Sequence, residues 1–420
     1  MTIKEAPTQC EVGPREIAVH VHKGTGMQDT VRRGSWRRAA GVTVAALAVS
    51  AGSVIPAAAD TDPPDYVTLM KAQEMWKVAD GSGITVAVVD SGFKQVPGVP
   101  SESVLPGVSV MSPPAGQPDK TYPAHDDVEG HGTTMTAAIV GDGSGGGPKG
   151  LAPGAKVMPV RTSLGTPMAF AAGVEGAKGI RYAADNGAKI INLSWGDYYS
   201  YPTLKEAVQY AQSKGVLVVA GMGNEGEGNN ATNLITQVPG VLGIGAVDET
   251  GEPLELTSHK HTTDLAAYGS KAPVRCKDNT AWCVRDGGTS YATALASASA
   301  ALVWSAHPDW TANQVARVLI ETAGGPVDGA KRNDWIGYGV ARPSWVLLKK
   351  AGNPGPPDVD PLAPAPTNTP APAPIQTAAA VPAEAAAAEA GLPWQWLVLG
   401  AVVAAGLGLT GTLIVKRRRS

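Results

Sequence analysis

Cysteine is scarce here, with three in 420 residues. Cys10 lies in a segment expected to be removed on export, which leaves Cys276 and Cys283. No histidine lies between them and no second cysteine pair follows, so the ligand set of a zinc site is missing. An even pair in an exported chain is expected to form a disulfide, here one that braces the approach to Ser290, with two buried thiols as the alternative. Clustered lysine and arginine are also missing between the two ends of the chain, where the balance is acidic. A nucleic-acid-binding surface needs such clusters to meet phosphate, so that class of partner is excluded. Large apolar side chains are almost absent from 353–392, a proline- and alanine-rich stretch that cannot build a core and reads as a semi-stiff spacer. No internal repeat is present.

Two segments speak of membranes. Arg32, Arg33, Arg37 and Arg38 precede an apolar run over 39–55, followed by Ala57-Ala58-Ala59, the pattern of an export signal with small residues at the cleavage point. The mature chain is expected to begin at Asp60. Residues 397–415 carry no charge, with Trp394 and Trp396 before them and Lys416, Arg417, Arg418 and Arg419 after. That length and those flanks predict a transmembrane helix with the C-terminus inside and the bulk of the chain outside. The expected organisation is a signal region 1–59, a folded domain 60–350, a linker 351–393, a membrane helix 394–415 and a cytoplasmic tail 416–420.

Within the domain, apolar runs at 84–89, 156–160, 189–193, 216–220 and 241–247 predict strands. Helices are expected near 133–140 and over 169–185, 203–213, 289–306 and 312–322, the last with Thr311 and Gln314 as a capping box. Continuously apolar strands alternating with amphipathic helices predict an α/β fold, a mostly parallel sheet with helices on both faces.

Three windows carry chemistry: Asp90-Ser91-Gly92 at the end of the first strand, His131-Gly132-Thr133 at a helix start, and Gly288-Thr289-Ser290-Tyr291-Ala292 opening the longest helix. Together they supply an acid, a base and a nucleophile. A serine hydroxyl reacts once an imidazole takes its proton, and a carboxylate holds that imidazole in the right tautomer, so Asp90, His131 and Ser290 suffice without metal or cofactor. Taken singly, each window is an ordinary turn, loop or N-cap. Asp126, Asp127 and Glu129, close to His131 in sequence, read as a solvated acidic turn. His125, His259 and His261 read as surface residues, and Asp142 in its glycine-rich loop offers too few oxygens for calcium.

The windows and their order resemble the subtilisin-like serine peptidases over about 70–350, and that resemblance implies the subtilisin-like version of the fold. The run Val218-Val219-Ala220-Gly221-Met222-Gly223-Asn224-Glu225-Gly226 is similar to the family segment whose asparagine amide donates to the oxyanion, which implies that role for Asn224. The family binds peptide as an added strand between two backbone segments, and the resemblance implies that Ser194-Trp195-Gly196 is one of them while Ala220-Gly221-Met222 borders the neighbouring pocket. Two departures, the window His131-Gly132-Thr133-Thr134-Met135 without the second histidine common there and Ala294 where proline is usual, remove no catalytic group. The short stretch 60–75 leaves no room for the folded prodomain typical of secreted members. With the spacer and anchor, this makes the whole chain similar to the mycosins, membrane-anchored proteases associated with type VII secretion. The resemblance implies protein or peptide substrates and a membrane secretion complex as partner.

Overall fold

A computed structural model describes residues 65–113, 116–163, 173–196 and 202–363. After two single-turn helices, α1 (Tyr66–Leu69) and α2 (Ala72–Met75), the order is β1 (Thr85–Asp90), β2 (Val108–Ser109), α3 (His131–Val140) and β3 (Lys156–Arg161). Next come α4 (Val174–Asp185), β4 (Ile190–Leu193), α5 (Pro202–Ser213), β5 (Leu217–Gly221), β6 (Leu242–Val247) and β7 (Leu265–Tyr268). The domain closes with β8 (Ala272–Arg275), β9 (Trp282–Arg285), α6 (Gly288–Ala306), α7 (Ala312–Glu321) and α8 (Pro343–Lys349). The export signal and the apolar run 397–415 lie outside the described residues. Among those described, no helix is long and apolar enough to cross a membrane.

Strands β1 to β7 form one parallel sheet in the order β2-β3-β1-β4-β5-β6-β7. Every residue of β4, β5 and β6 is buried, as the apolar runs require of strands covered on both faces. Alternate side chains go to opposite sides. Val86, Val88, Ile190 and Val219 join one core with α3, α6, α7 and α8, while Ala87, Val89, Ile191 and Val218 join another with α4 and α5. The capping box of α7 has both of its halves, Thr311 Oγ1 to Gln314 N and Gln314 Oε1 to Thr311 N.

Two helices are apolar around their whole circumference, which places them inside the protein. In α3 every residue except His131 is buried, and in α6 every residue from Gly288 to Trp304 except Ser290 is buried. The one side chain that each leaves accessible in these runs is a candidate catalytic group. Both sit in the first turn of their helix, next to the carboxyl ends of the strands, where the chain order reverses about β1. The start of the proline-rich stretch is strapped to α7: Thr311 Oγ1 donates to Pro357 O (2.8 Å), Gln314 Nε2 to Gly355 O (2.9 Å) and Arg317 Nε to Pro354 O (3.1 Å).

Candidate active site

Asp90 ends β1 and is 3 % exposed. Its Oδ1 accepts from Ser91 N (2.7 Å), which helps fix the carboxylate plane. His131 Nδ1 lies 2.8 Å from Oδ1 and 3.0 Å from Oδ2. A carboxylate on that side holds the proton on Nδ1, so Nε2 is left as the basic nitrogen. The helix bearing His131 approaches the Asp90 loop very closely, for a Cβ on Gly132 would fall 2.1 Å from Gly92 O. Glycine is required there.

The acidic turn before His131 departs from expectation, because Asp127 is 1 % exposed and not solvated. Its carboxylate accepts from Gly130 N (2.9 Å), Thr133 N (2.9 Å), Thr133 Oγ1 (2.7 Å) and Ser91 Oγ (2.9 Å). Four donors offset the cost of burying the charge, and two of them are amides at the start of α3 that would otherwise lack partners. Asp127 thereby ties the His131 turn to the Asp90 turn. Asp126 points elsewhere, to the buried Arg161 guanidinium at 2.8 Å.

Burial alone would pull the pKa of His131 down. The charge and hydrogen bond of Asp90, with smaller help from Asp127 and Glu129, outweigh it and raise His131 above the usual histidine value. A base must be neutral to act, so the acid limb of a kcat/KM profile is expected at higher pH than for an ordinary histidine. Glu129→Gln removes one negative charge that favours the imidazolium, and it should move that limb to lower pH; an unchanged limb would refute the assignment.

Ser290 lies on the first turn of α6, preceded by Gly288 at φ +58°. A Cβ on Gly288 would meet Asn224 Oδ1 at 2.7 Å, so the glycine lets the Asn224 turn and the Ser290 helix touch. Asn224 Oδ1 accepts from Thr289 N and Thr289 Oγ1, both at 3.0 Å. With its oxygen engaged, the exposed Asn224 side chain is oriented so that its NH2 group is available to donate. Ser290 Oγ donates to Ser194 O and Ser194 Oγ donates to Ser290 O, each at 2.8 Å. Ser194 Oγ in turn accepts from Asn192 Nδ2 (2.9 Å), and Asn192 Oδ1 from Ser297 Oγ (3.0 Å), so a buried polar chain pins the end of β4 to α6.

Of the two segments expected to meet a peptide, Ser194-Trp195-Gly196 follows β4 directly and Ala220-Gly221-Met222, the expected pocket border, closes β5. Trp195 offers only its backbone to them: the indole is buried and donates from Nε1 to Val89 O at 2.6 Å. Gly196 is half-buried, Ala220, Gly221 and Met222 are buried, and Met222 Sδ lies 3.9 Å from Thr262 Oγ1. His125 and His261 are exposed, while His259 is half-buried and stacked on Trp335. Asp142 is exposed and accepts from Ser144 N at 2.7 Å.

Cys276 and Cys283 are joined, with Cα atoms 5.1 Å apart, across the β8–β9 hairpin. The bridged loop braces His131 rather than the approach to Ser290. Asn279, at its tip with φ +54°, donates from Nδ2 to Asp127 O (2.7 Å) and Val128 O (3.3 Å). Arg275 N donates to Thr134 Oγ1 (3.0 Å) and Arg275 Nε to Asn279 Oδ1 (2.9 Å). Opening this short loop in the paired variant Cys276→Ser/Cys283→Ser should cost about 2.5 kcal/mol on the loop-entropy model. Thermal unfolding should then fall by roughly 5–10 °C, and an unchanged midpoint would show that the loop holds itself.

Residues 81–345 match the Subtilase family of S8 peptidases. The major intracellular serine protease of Bacillus subtilis (strain 168) is 33% identical over 210 residues, which cover 49% of this chain and 64% of that protein. This chain therefore spans a little under two thirds of the length of the first curated relatives it matches. Among solved structures, MycP1 from the ESX-1 type VII secretion system superimposes with TM-score 0.59 at 25% identity, covering 72% of this chain and 90% of that one. The MycP3 protease from the type VII (ESX-3) secretion system gives TM-score 0.56 at 26% identity, covering 69% and 90%.

Proposed function

From the premise that the chain belongs to the subtilase family, we propose that it is a membrane-tethered, extracytoplasmic serine endopeptidase of the mycosin kind, linked to type VII secretion. The observation that carries the chemistry is the pairing of two wholly buried helices that leave accessible, in those runs, one residue each, His131 and Ser290, with Asp90 bonded to His131 Nδ1. For attack, the Ser290 hydroxyl turns from Ser194 O to His131 Nε2, which takes its proton as Oγ adds to the peptide carbonyl. Negative charge developing on the carbonyl oxygen meets Asn224 Nδ2 and the Ser290 backbone N–H at the start of α6, where the helix dipole adds to their pull. His131 then gives the proton to the leaving amine, and water hydrolyses the acyl-enzyme by the same steps reversed. The substrate lies extended along Ser194-Trp195-Gly196, with Ala220-Gly221-Met222 bordering the neighbouring pocket, so that backbone hydrogen bonds bind any peptide and side-chain pockets select among them.

Tethering rests on the charge-free run 397–415 and its basic flank, and the secretion link on the likeness to MycP1 and MycP3. That same likeness favours a second reading, a scaffold that stabilises a membrane secretion complex. Complementation of a deletion strain with Ser290→Ala separates the two. An enzymatic role predicts loss of both substrate processing and secretion, as in the deletion; a scaffold role predicts restored secretion with processing still absent. Wild-type processing by Ser290→Ala would sink the catalytic assignment.

A further inference from the structure

A hairpin tip is ordinarily solvated, yet the tip of β8–β9 is buried. Asn279 is 7% exposed there, at φ +54° in the left-handed region that asparagine tolerates. The bridged loop shapes the tip from within, for Asn279 N donates to Cys276 O (2.7 Å) and Cys276 N to Ala281 O (2.9 Å). What covers it is the turn that leads into His131. A Cβ on Gly130 would fall 2.5 Å from Asn279 Oδ1, so turn and tip are in direct contact. The Asn279 amide is held one way round. Its Oδ1 accepts from Arg275 Nε (2.9 Å), Arg275 Nη2 donates to Asn279 O (2.5 Å), and that guanidinium lies over the Trp282 ring at 4.9 Å. The Nδ2 group is left to donate to Asp127 O (2.7 Å) and Val128 O (3.3 Å). The Asp127 carboxylate carries the constraint onward, to Gly130 N and Thr133 N in the turn of His131 and to Ser91 Oγ beside Asp90. A second tie meets the same turn, where Arg275 N donates to Thr134 Oγ1 (3.0 Å) and Thr134 Oγ1 to Gly130 O (2.7 Å).

We propose that Asn279 is a positioning residue for the catalytic base, which fixes the turn before His131, and that the Cys276–Cys283 bridge acts on the rate through it. This rests on the peptidase reading above. An amide NH2 carries two donors in one plane, so one side chain can hold two successive carbonyls and with them the path of the turn. Aspartate would set an anion against those carbonyls, and a side chain without a donor leaves both acceptors unpaired. The turn matters to the rate because His131 has to meet two partners at once. Its Nδ1 stays on Asp90, 2.8 Å away, while Nε2 faces the Ser290 hydroxyl, so a rotation that keeps one bond spoils the other. Peptide binding is spared, since the hairpin is not among the segments expected to meet the substrate.

The test measures kcat and KM of the full chain on a chromogenic tetrapeptide amide, below the unfolding temperature of each variant. Asn279→Gly removes the side chain and suits the positive φ, so it separates the lost bonds from backbone strain. Asn279→Asp keeps an acceptor for Arg275 and loses both donors. Each should lower kcat by roughly tenfold or more with KM nearly unchanged, since a misplacement of about 1 Å can cost about a hundredfold in rate. The downfield proton resonance of His131 Nδ1–H, which reports the bond to Asp90, should shift or broaden in both. Cys276→Ser/Cys283→Ser should lower kcat in the wild-type background and add little to Asn279→Gly, because the two changes act through one contact. An unchanged kcat, a loss that falls on KM, or losses that simply add would overturn the proposal. So would failure of both Asn279 variants to fold, which would make the residue a determinant of folding alone. A wild-type protein that does not cleave the peptide would instead overturn the peptidase reading beneath it.

Discussion

Ser290→Ala is expected to lower peptide hydrolysis by about a millionfold, the scale seen when a triad of this family loses its nucleophile. The change removes one oxygen from the position that α6 leaves accessible along a buried face, and alanine suits a helix start surrounded by small residues. Folding should therefore survive, though the bond from Ser290 Oγ to Ser194 O is lost. That bond is a neutral one worth about 1 kcal/mol, small beside the loss in rate. The check is the turnover of a chromogenic peptide together with a thermal unfolding curve. A variant that unfolds some tens of degrees early would show the serine to be structural, and one that retains activity would remove Ser290 from the mechanism.

Asp90→Asn should follow at about ten thousandfold in kcat with little change in KM. The asparagine fills the same space at the end of β1. Its amide, though, can present N–H to His131 Nδ1, which stabilises the tautomer with the proton on Nε2 and so blocks the nitrogen that must receive the serine proton. The loss should be in the chemical step, because neither Asp90 nor its partner Ser91 belongs to the segments expected to meet the peptide. A large rise in KM at constant kcat would contradict this division of labour.

The parts of the site legible in sequence were those whose roles depend on local context. Asp90 ends an apolar strand, His131 and Ser290 open apolar helices, and Asn224 follows an apolar strand, so each window announced its place in an α/β fold. What escaped is what depends on contacts between distant segments. Asp127 lies in a run of acidic residues that looks solvated, and only the folded chain brings Ser91 and the first turn of α3 around it. The bridge between Cys276 and Cys283 was legible from the exported context, but the surface it braces was misjudged because Asn279 reaches Asp127 across 152 positions of chain. Trp195, expected to lie along the peptide, turns its ring inward and donates from Nε1 to Val89 O, a contact between segments far apart in the chain. The strands β7, β8 and β9 were also unforeseen: each is only four residues long, and Leu265–Tyr268 lacks the β-branched residues that mark a strand.

The link between geometry and activity is most directly tested by trapping the covalent intermediate. Wild-type protein is mixed with an activated peptide ester, quenched in acid before one turnover is complete, digested and mapped by mass spectrometry. The account predicts the acyl group on the peptide containing Ser290, in amount close to the initial burst of product, and none in Ser290→Ala. An acyl group on any other residue, or steady hydrolysis with no acylated Ser290, would contradict it.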